Sequence, residues 1–209
     1  MSDTVQTLII VFPIILVSMS IHELMHALVS DWLGDDTARS MGRISLNPLK
    51  HIDPILTIAL PLLLAISGGP IFGAAKPVQV NFNRLKYDEF GGALVGAVGP
   101  LTNLVLAIIA ALILRSVDIS SGLEYKILGY GVIINIGFFV FNSIPWPPLD
   151  GSRVLYAFAP RALQELMEYI EGLGFAGLII FMLLFYQLIA PFTGSLIEKL
   201  TNGLTSGLI

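Results

Sequence analysis

Residues 4–26 read TVQTLIIVFPIILVSMSIHELMH, and the first eighteen of them, 4–21, carry no charge. About 20 predominantly apolar residues suffice for a helix to cross a bilayer. This stretch therefore predicts a membrane-spanning helix that ends in His22-Glu23-Leu24-Met25-His26, an H-E-x-x-H pattern. On a helix, side chains at i and i+4 share a face. His22 and His26 are thus placed to grip one metal ion with two imidazoles, and Glu23 is placed beside them to take a proton from water. Ionisable residues inside a membrane are costly and mark function. Here three fall within five positions.

The rest of the composition agrees with a membrane setting. Of 209 residues, 55% are hydrophobic and 12% charged, against about 25% charged in ordinary soluble domains. The mean hydropathy is +0.83. The expectation is an all-α membrane protein, a polytopic transmembrane helix bundle forming one membrane-embedded unit over residues 1–209. No cysteine is present, which removes disulfides, thiolate ligands and a thiol nucleophile. The start, MSDTVQT, lacks the basic region of a cleaved signal peptide, so the first apolar run is expected to be retained. There is no dense basic stripe or zinc-finger spacing, and no nucleic-acid partner is expected. The lipid bilayer is the expected surrounding.

Outward from the motif, the first span is expected over residues 5–33. Residues 90–114 form 25 positions without charge, rich in Gly and Ala that let helices pack closely. Further spans are expected at 127–149 and 173–190. Between the first two lies a different kind of segment. Residues 54–70 are charge-free but interrupted by Pro54 and Pro61 and end at Gly68-Gly69-Pro70. The run 55–67 is too short to span, so a re-entrant or peripheral segment is expected, with protein covering its irregular backbone. Flanking it, Ile44-Ser45-Leu46 and Val78-Gln79-Val80 alternate apolar and polar residues, which fits short strands at the membrane surface. His51 and Asp53 read as polar residues shaping the site or as a second metal pair.

Two further polar residues sit in apolar surroundings. Asn103 follows Pro100 within the span 90–114. It reads either as a packing residue hydrogen-bonded across helices or as a donor to a developing oxyanion or the substrate backbone. Asp150 follows Pro145-Trp146-Pro147-Pro148-Leu149, where three prolines in four positions forbid regular helix. A carboxylate on such a corner suits a third metal ligand. The alternative is an N-cap for the helix that starts near Ser152.

These residues together resemble the site-2 protease family of intramembrane zinc metalloproteases, in particular its short, single-module prokaryotic-type members. The resemblance rests on HELMH at 22–26, SLNPLKHIDP at 45–54, AKPVQVN at 75–81, GPLTN at 99–103 and PPLDG at 147–151. It implies that His22, His26 and Asp150 bind one Zn2+ per chain, that Glu23 is the catalytic acid/base, and that Asn103 supports catalysis. It also implies a membrane-spanning protein as substrate. A metal-ion transporter and a catalytically silent helix-binding scaffold are the competing readings. Neither of them requires Glu23.

Geometry and charge set an expected topology. One metal needs the motif and Asp150 at similar depth, and they meet only if residues 54–70 dip without crossing. Eight of the eleven Lys and Arg residues then lie on the side where the first helix ends, with Arg115, Lys126 and Lys199 opposite. The positive-inside rule makes the first side cytoplasmic. The expected location is the cell (inner) membrane with the site open towards the cytoplasm.

Overall fold

A computed structural model describes residues 3–59, 63, 75–116 and 121–206. The long helices are α1 (Asp3–Trp32), α3 (Asp88–Ser116) and α4 (Gly122–Asn142). Each is long and apolar enough to cross a membrane. Shorter helices are α2 (Thr37–Ser40), α5 (Gly151–Phe158), α6 (Arg161–Gly172) and α7 (Phe175–Ile180). A π turn over Phe181–Tyr186 carries α7 into α8 (Gln187–Thr205). The axis bends by 104° between α6 and the helix that follows, and counting that bent pair as one span gives a fourth.

Helix α3 is the central element and packs against α1, α4, α5 and α8. Its buried face is built from small residues, among them Gly91, Gly92, Gly96, Gly99, Ala107 and Ala111. Lipid supplies no hydrophobic drive between helices, so association depends on this close van der Waals fit and on polar bridges. Ala107 and Ala111 meet Val132, Ile136 and Val140 of α4, and Leu196, Ile197 and Leu200 of α8 close the cluster. Leu8, Ile9 and Phe12 of α1 and Val105, Ile109 and Leu112 of α3 point outward and are exposed. The protein is an integral membrane protein, and these side chains form the apolar outer surface of its helices.

Several boundaries differ from the sequence expectation. Helix α4 begins at Gly122 rather than near 127, and it stops at Asn142, so the end of the expected span 127–149 is the proline corner that the sequence predicts, where Pro145, Pro147 and Pro148 cannot donate to a helical ladder. Turn hydrogen bonds replace it, among them Trp146 N to Ile144 O (2.8 Å) and Leu149 N to Trp146 O (2.8 Å). The last helical stretch runs on to Thr205 instead of ending near 190. Thr193, Thr201 and Thr205 are buried there, and Thr193 and Thr205 return their hydroxyls to Ala190 O and Thr201 O.

Among the described residues there is no strand. Residues 44–46 and 75–81 have no helical or ladder structure, and side chains take backbone groups that a ladder would use. Val78 N donates to Glu23 and Asn81 N to Asp35. The buried guanidinium of Arg43 donates to the carbonyls of Lys50, Lys76 and Pro77. Of the expected re-entrant run, Pro54–Ala59 forms a π turn, while 60–62 and 64–70 lie outside the described residues. Its flanks meet: Lys76 N donates to His51 O (2.8 Å), and Lys86 N to Leu33 O (2.8 Å).

Candidate metal centre

The motif lies in the last third of α1, where i, i+4 spacing brings His22 and His26 to one face. Their ring centroids are 4.7 Å apart in an edge-to-face arrangement. Both rings are buried, each 7% exposed. Asp150 arrives from the proline corner between α4 and α5. It occupies the N-terminal flank of α5, yet its side chain makes no capping hydrogen bond. The carboxylate turns to the histidines instead. Asp150 Oδ2 is 3.0 Å from His22 Nε2 and 3.4 Å from His26 Nε2, and the two Nε2 atoms are 3.0 Å apart. The Asp150 side chain thus joins the histidine cluster and does not cap α5.

Hydrogen bonds on the far side of each ring settle the tautomers. His26 Nδ1 lies 2.7 Å from the carbonyl oxygen of Val95. A carbonyl only accepts, so Nδ1 carries a proton, which in the neutral ring leaves the lone pair on Nε2. His22 Nδ1 donates to Asn103 Oδ1 (2.6 Å). With both rings neutral, two lone pairs and a carboxylate oxygen converge, an arrangement that a cation satisfies. Ligand atoms about 2.0–2.2 Å from a tetrahedral zinc lie about 3.3–3.6 Å from one another, close to the 3.0–3.4 Å observed. Among the described residues this is the one group of three His, Cys, Asp or Glu side chains gathered closely enough for a metal.

Two glycines make the convergence possible. A Cβ on Gly99 of α3 would lie 2.4 Å from His26 Nε2 and 2.6 Å from His22 Nε2. A Cβ on Gly151 would lie 2.3 Å from Ser143 O. The glycine after Asp150 thus serves close backbone approach.

Glu23 lines the same cavity as His22 and Asp150, a space of about 350 Å³ bounded also by Met19, Phe138, Phe141, Asn142 and Leu178. Its Oε2 accepts from Val78 N (2.9 Å), a contact between α1 and the 75–81 segment. Asn103 is elsewhere. It is fully buried behind His22, with Oδ1 on that ring and Nδ2 donating to Asn135 Oδ1 (2.9 Å). Asn142 is the amide that borders the cavity, with Nδ2 donating to Phe138 O (3.0 Å). Sequence reasoning did not single it out, although an asparagine eight residues before Asp150 at a helix end was a visible signal. His51 is buried and hydrogen-bonds through Nε2 to Ser45 O (2.8 Å). Asp53 Oδ1 accepts from Ile55 N (2.9 Å) and so begins the π turn. Neither joins the cluster.

Comparison with known proteins gives the same direction. The chain is 37% identical over 180 residues to a Bacillus subtilis (strain 168) protein provisionally named zinc metalloprotease YwhC, covering 82% of this chain and 77% of that one. It is 33% identical over 151 residues to MJ0611 of Methanocaldococcus jannaschii, also provisionally named a zinc metalloprotease, covering 70% of this chain and 71% of that one. Against Rip2 of Mycolicibacterium smegmatis, named likewise, identity is 29% over 170 residues, covering 80% of this chain and 64% of that one. No family model and no solved structure matches the chain. With the H-E-x-x-H pair and the distant aspartate gathered between apolar helices, and with these relatives, the chain belongs to the site-2 protease family of membrane-embedded zinc metalloproteases.

Proposed function

We propose that this protein is an intramembrane zinc endopeptidase that hydrolyses a peptide bond in or near a transmembrane helix of a membrane-protein substrate. The observation that carries the reading is Glu23. It lies beside a complete set of three ligand atoms, belongs to none of them, and borders the same cavity. A transporter or a scaffold has no use for that carboxylate.

His22 Nε2, His26 Nε2 and Asp150 Oδ2 are the residues that would hold one zinc ion. Zinc, when bound, supplies a Lewis acid that acidifies water and polarises a carbonyl. Glu23 takes the proton of the attacking water and delivers it to the leaving nitrogen as the C–N bond breaks. Asn142 has an amide hydrogen beyond the one given to Phe138 O, and its place on the cavity wall suits a donor to the carbonyl oxygen as charge develops there. This role, expected at the sequence level for Asn103, falls better to Asn142. Asn103 orients His22. The cavity lies near the small end of ligand sites, about 300–1,000 Å³. It suits a few unwound residues and not an intact helix about 10–12 Å across, so the substrate helix opens before it is cut.

Zinc analysis of purified protein is expected to give one ion per chain. Reconstituted protein, offered a panel of single-span helices and read by mass spectrometry of the ends, is expected to cut some of them and to stop when zinc is chelated. Zinc flux into liposomes without cleavage would replace this reading with transport.

The hydrogen bonds that join residue 51 to 76 and residue 33 to 86 support a chain that leaves and returns on one face between α1 and α3. That topology would put eight of the eleven basic residues on this face, and by the positive-inside rule we assign it to the cytoplasm and the protein to the cell (inner) membrane. Single cysteines at exposed Leu46 and Gln79 are expected to react with an impermeant thiol reagent only from the cytoplasmic side. A cysteine at Ser121 should react only from the other. Opposite-side labelling of positions 46 and 79 would overturn the assignment.

A further inference from the structure

Behind the metal-facing side of His22 runs a chain of amides that crosses three spanning helices. His22 and Ser18 belong to α1, Asn103 to α3 and Asn135 to α4. Asn103 and Asn135 are 0% and 4% exposed. Each link has a donor and an acceptor, and one end of the chain determines all of them. Asn135 Nδ2 lies 2.8 Å from the backbone carbonyl of Gly131, one turn earlier on its own helix. A carbonyl cannot donate, so this atom must be the NH2 group and the other must be Oδ1. Asn135 Oδ1 then faces Asn103 at 2.9 Å and demands a donor there, which turns the Asn103 NH2 towards it. Asn103 Oδ1 is left facing His22 Nδ1 at 2.6 Å and demands the imidazole N–H. The second Asn135 hydrogen goes to Ser18 Oγ at 3.0 Å, which ties α4 back to α1.

We propose that Asn135 is a positioning residue which, through Asn103, holds His22 in the tautomer that presents a lone pair at Nε2 to the metal. The inference rests on the zinc site proposed above. Without Asn135 the Asn103 amide is free to turn over. Its NH2 would then donate to His22 Nδ1, and the ring proton would move to Nε2. There it would meet Asp150 Oδ2, 3.0 Å away, in a hydrogen bond to a carboxylate, a strong kind. The metal-free site would settle in that state, and zinc would have to displace it. Ser18 differs in kind. Gly131 O alone orients Asn135, so the serine closes the network without setting its direction.

The test is the zinc dissociation constant, by chelator competition, together with the ligand-field absorption of Co2+-loaded protein. The proteins are the parent, Asn135→Leu, Asn135→Ala, Ser18→Ala and Val132→Ala. Loss of a partner behind a metal ligand typically weakens metal binding about 10–100-fold. That range is expected for both Asn135 variants, with an altered cobalt spectrum. Ser18→Ala is expected to stay within about threefold, below that range, because the serine does not orient a metal ligand. Val132 is fully buried on the same helix and outside the network. Val132→Ala should leave affinity and spectrum unchanged even where it lowers the thermal midpoint. The two Asn135 variants bracket packing, one filling the space and one emptying it, so failure of either to fold leaves the other to decide. Parent-like affinity and spectrum in an Asn135 variant would overturn the proposal while leaving the zinc site standing. A parent protein that binds no zinc would overturn both.

Discussion

Glu23→Gln protein is expected to insert in the membrane and bind zinc like the parent while cleaving its substrate about 10²–10⁴-fold more slowly, the usual worth of a general acid–base group. The substitution keeps shape and volume. The three ligand atoms come from His22, His26 and Asp150, so the metal keeps its full set. One contact is retained as well. Val78 N donates to Glu23 Oε2 at 2.9 Å, and the carbonyl oxygen of glutamine accepts the same bond. What disappears is the basicity. A neutral amide cannot take a proton from water or return one to the leaving nitrogen. Because one residue serves both halves of the reaction, the loss belongs near the upper end of the range. Equal cleavage rates for parent and variant would remove Glu23 from the chemistry. Loss of zinc in the variant would show instead that it holds the site together.

The contrast between Glu23 and Asn103 marks how far the placement of a side chain is legible in the sequence. The H-E-x-x-H residues lie within one and a half turns of helix, and helical geometry alone puts both imidazoles on a face. The proline corner at 145–148 likewise announces itself locally, since those residues cannot continue α4. Asn103 is different. Its partners are His22, 81 positions away, and Asn135, 32 positions away. An isolated amide in an apolar run offers no sign of which helix it will meet, so orienting His22 and donating to substrate look alike. Asn142 differs again, since it bonds within its own helix to Phe138 O and borders the cavity only because the proline corner folds back beside it. The 44–46 and 78–80 segments failed in another way. Alternation reports an extended, half-buried chain, whether a neighbouring strand or side chains such as Glu23, Asp35 and Arg43 satisfy its backbone. The two bonds that bring residue 51 to 76 and residue 33 to 86 also join distant positions. Only the proline-broken, undersized character of residues 55–67 hinted at them.

Gly99→Ala is expected to remove stoichiometric zinc as completely as His26→Ala or Asp150→Ala. By helix propensity alone the change should help, since Ala is favoured over Gly by about 1 kcal/mol in a helix interior. Packing reverses the sign. The new Cβ would stand 2.4 Å from His26 Nε2 and 2.6 Å from both Nε2 and Cε1 of His22, well inside contact distance, and it would do so on the ligand atoms themselves. The rings have little freedom to retreat. His26 is held from behind by Val95 O at 2.7 Å and His22 by Asn103 Oδ1 at 2.6 Å. Either those bonds break and the Nε2 atoms swing away from Asp150, or α3 moves off α1 along its whole small-residue face. Both outcomes dismantle the three-ligand geometry, so the effect should exceed the roughly 10–100-fold loss that follows removal of a supporting partner. Gly137→Ala is the control, because a Cβ there would meet nothing within 4 Å. It should bind one zinc per chain with parental affinity. Full zinc occupancy in Gly99→Ala would mean that α3 does not press on the two imidazoles, and the packing that builds this centre would need another source.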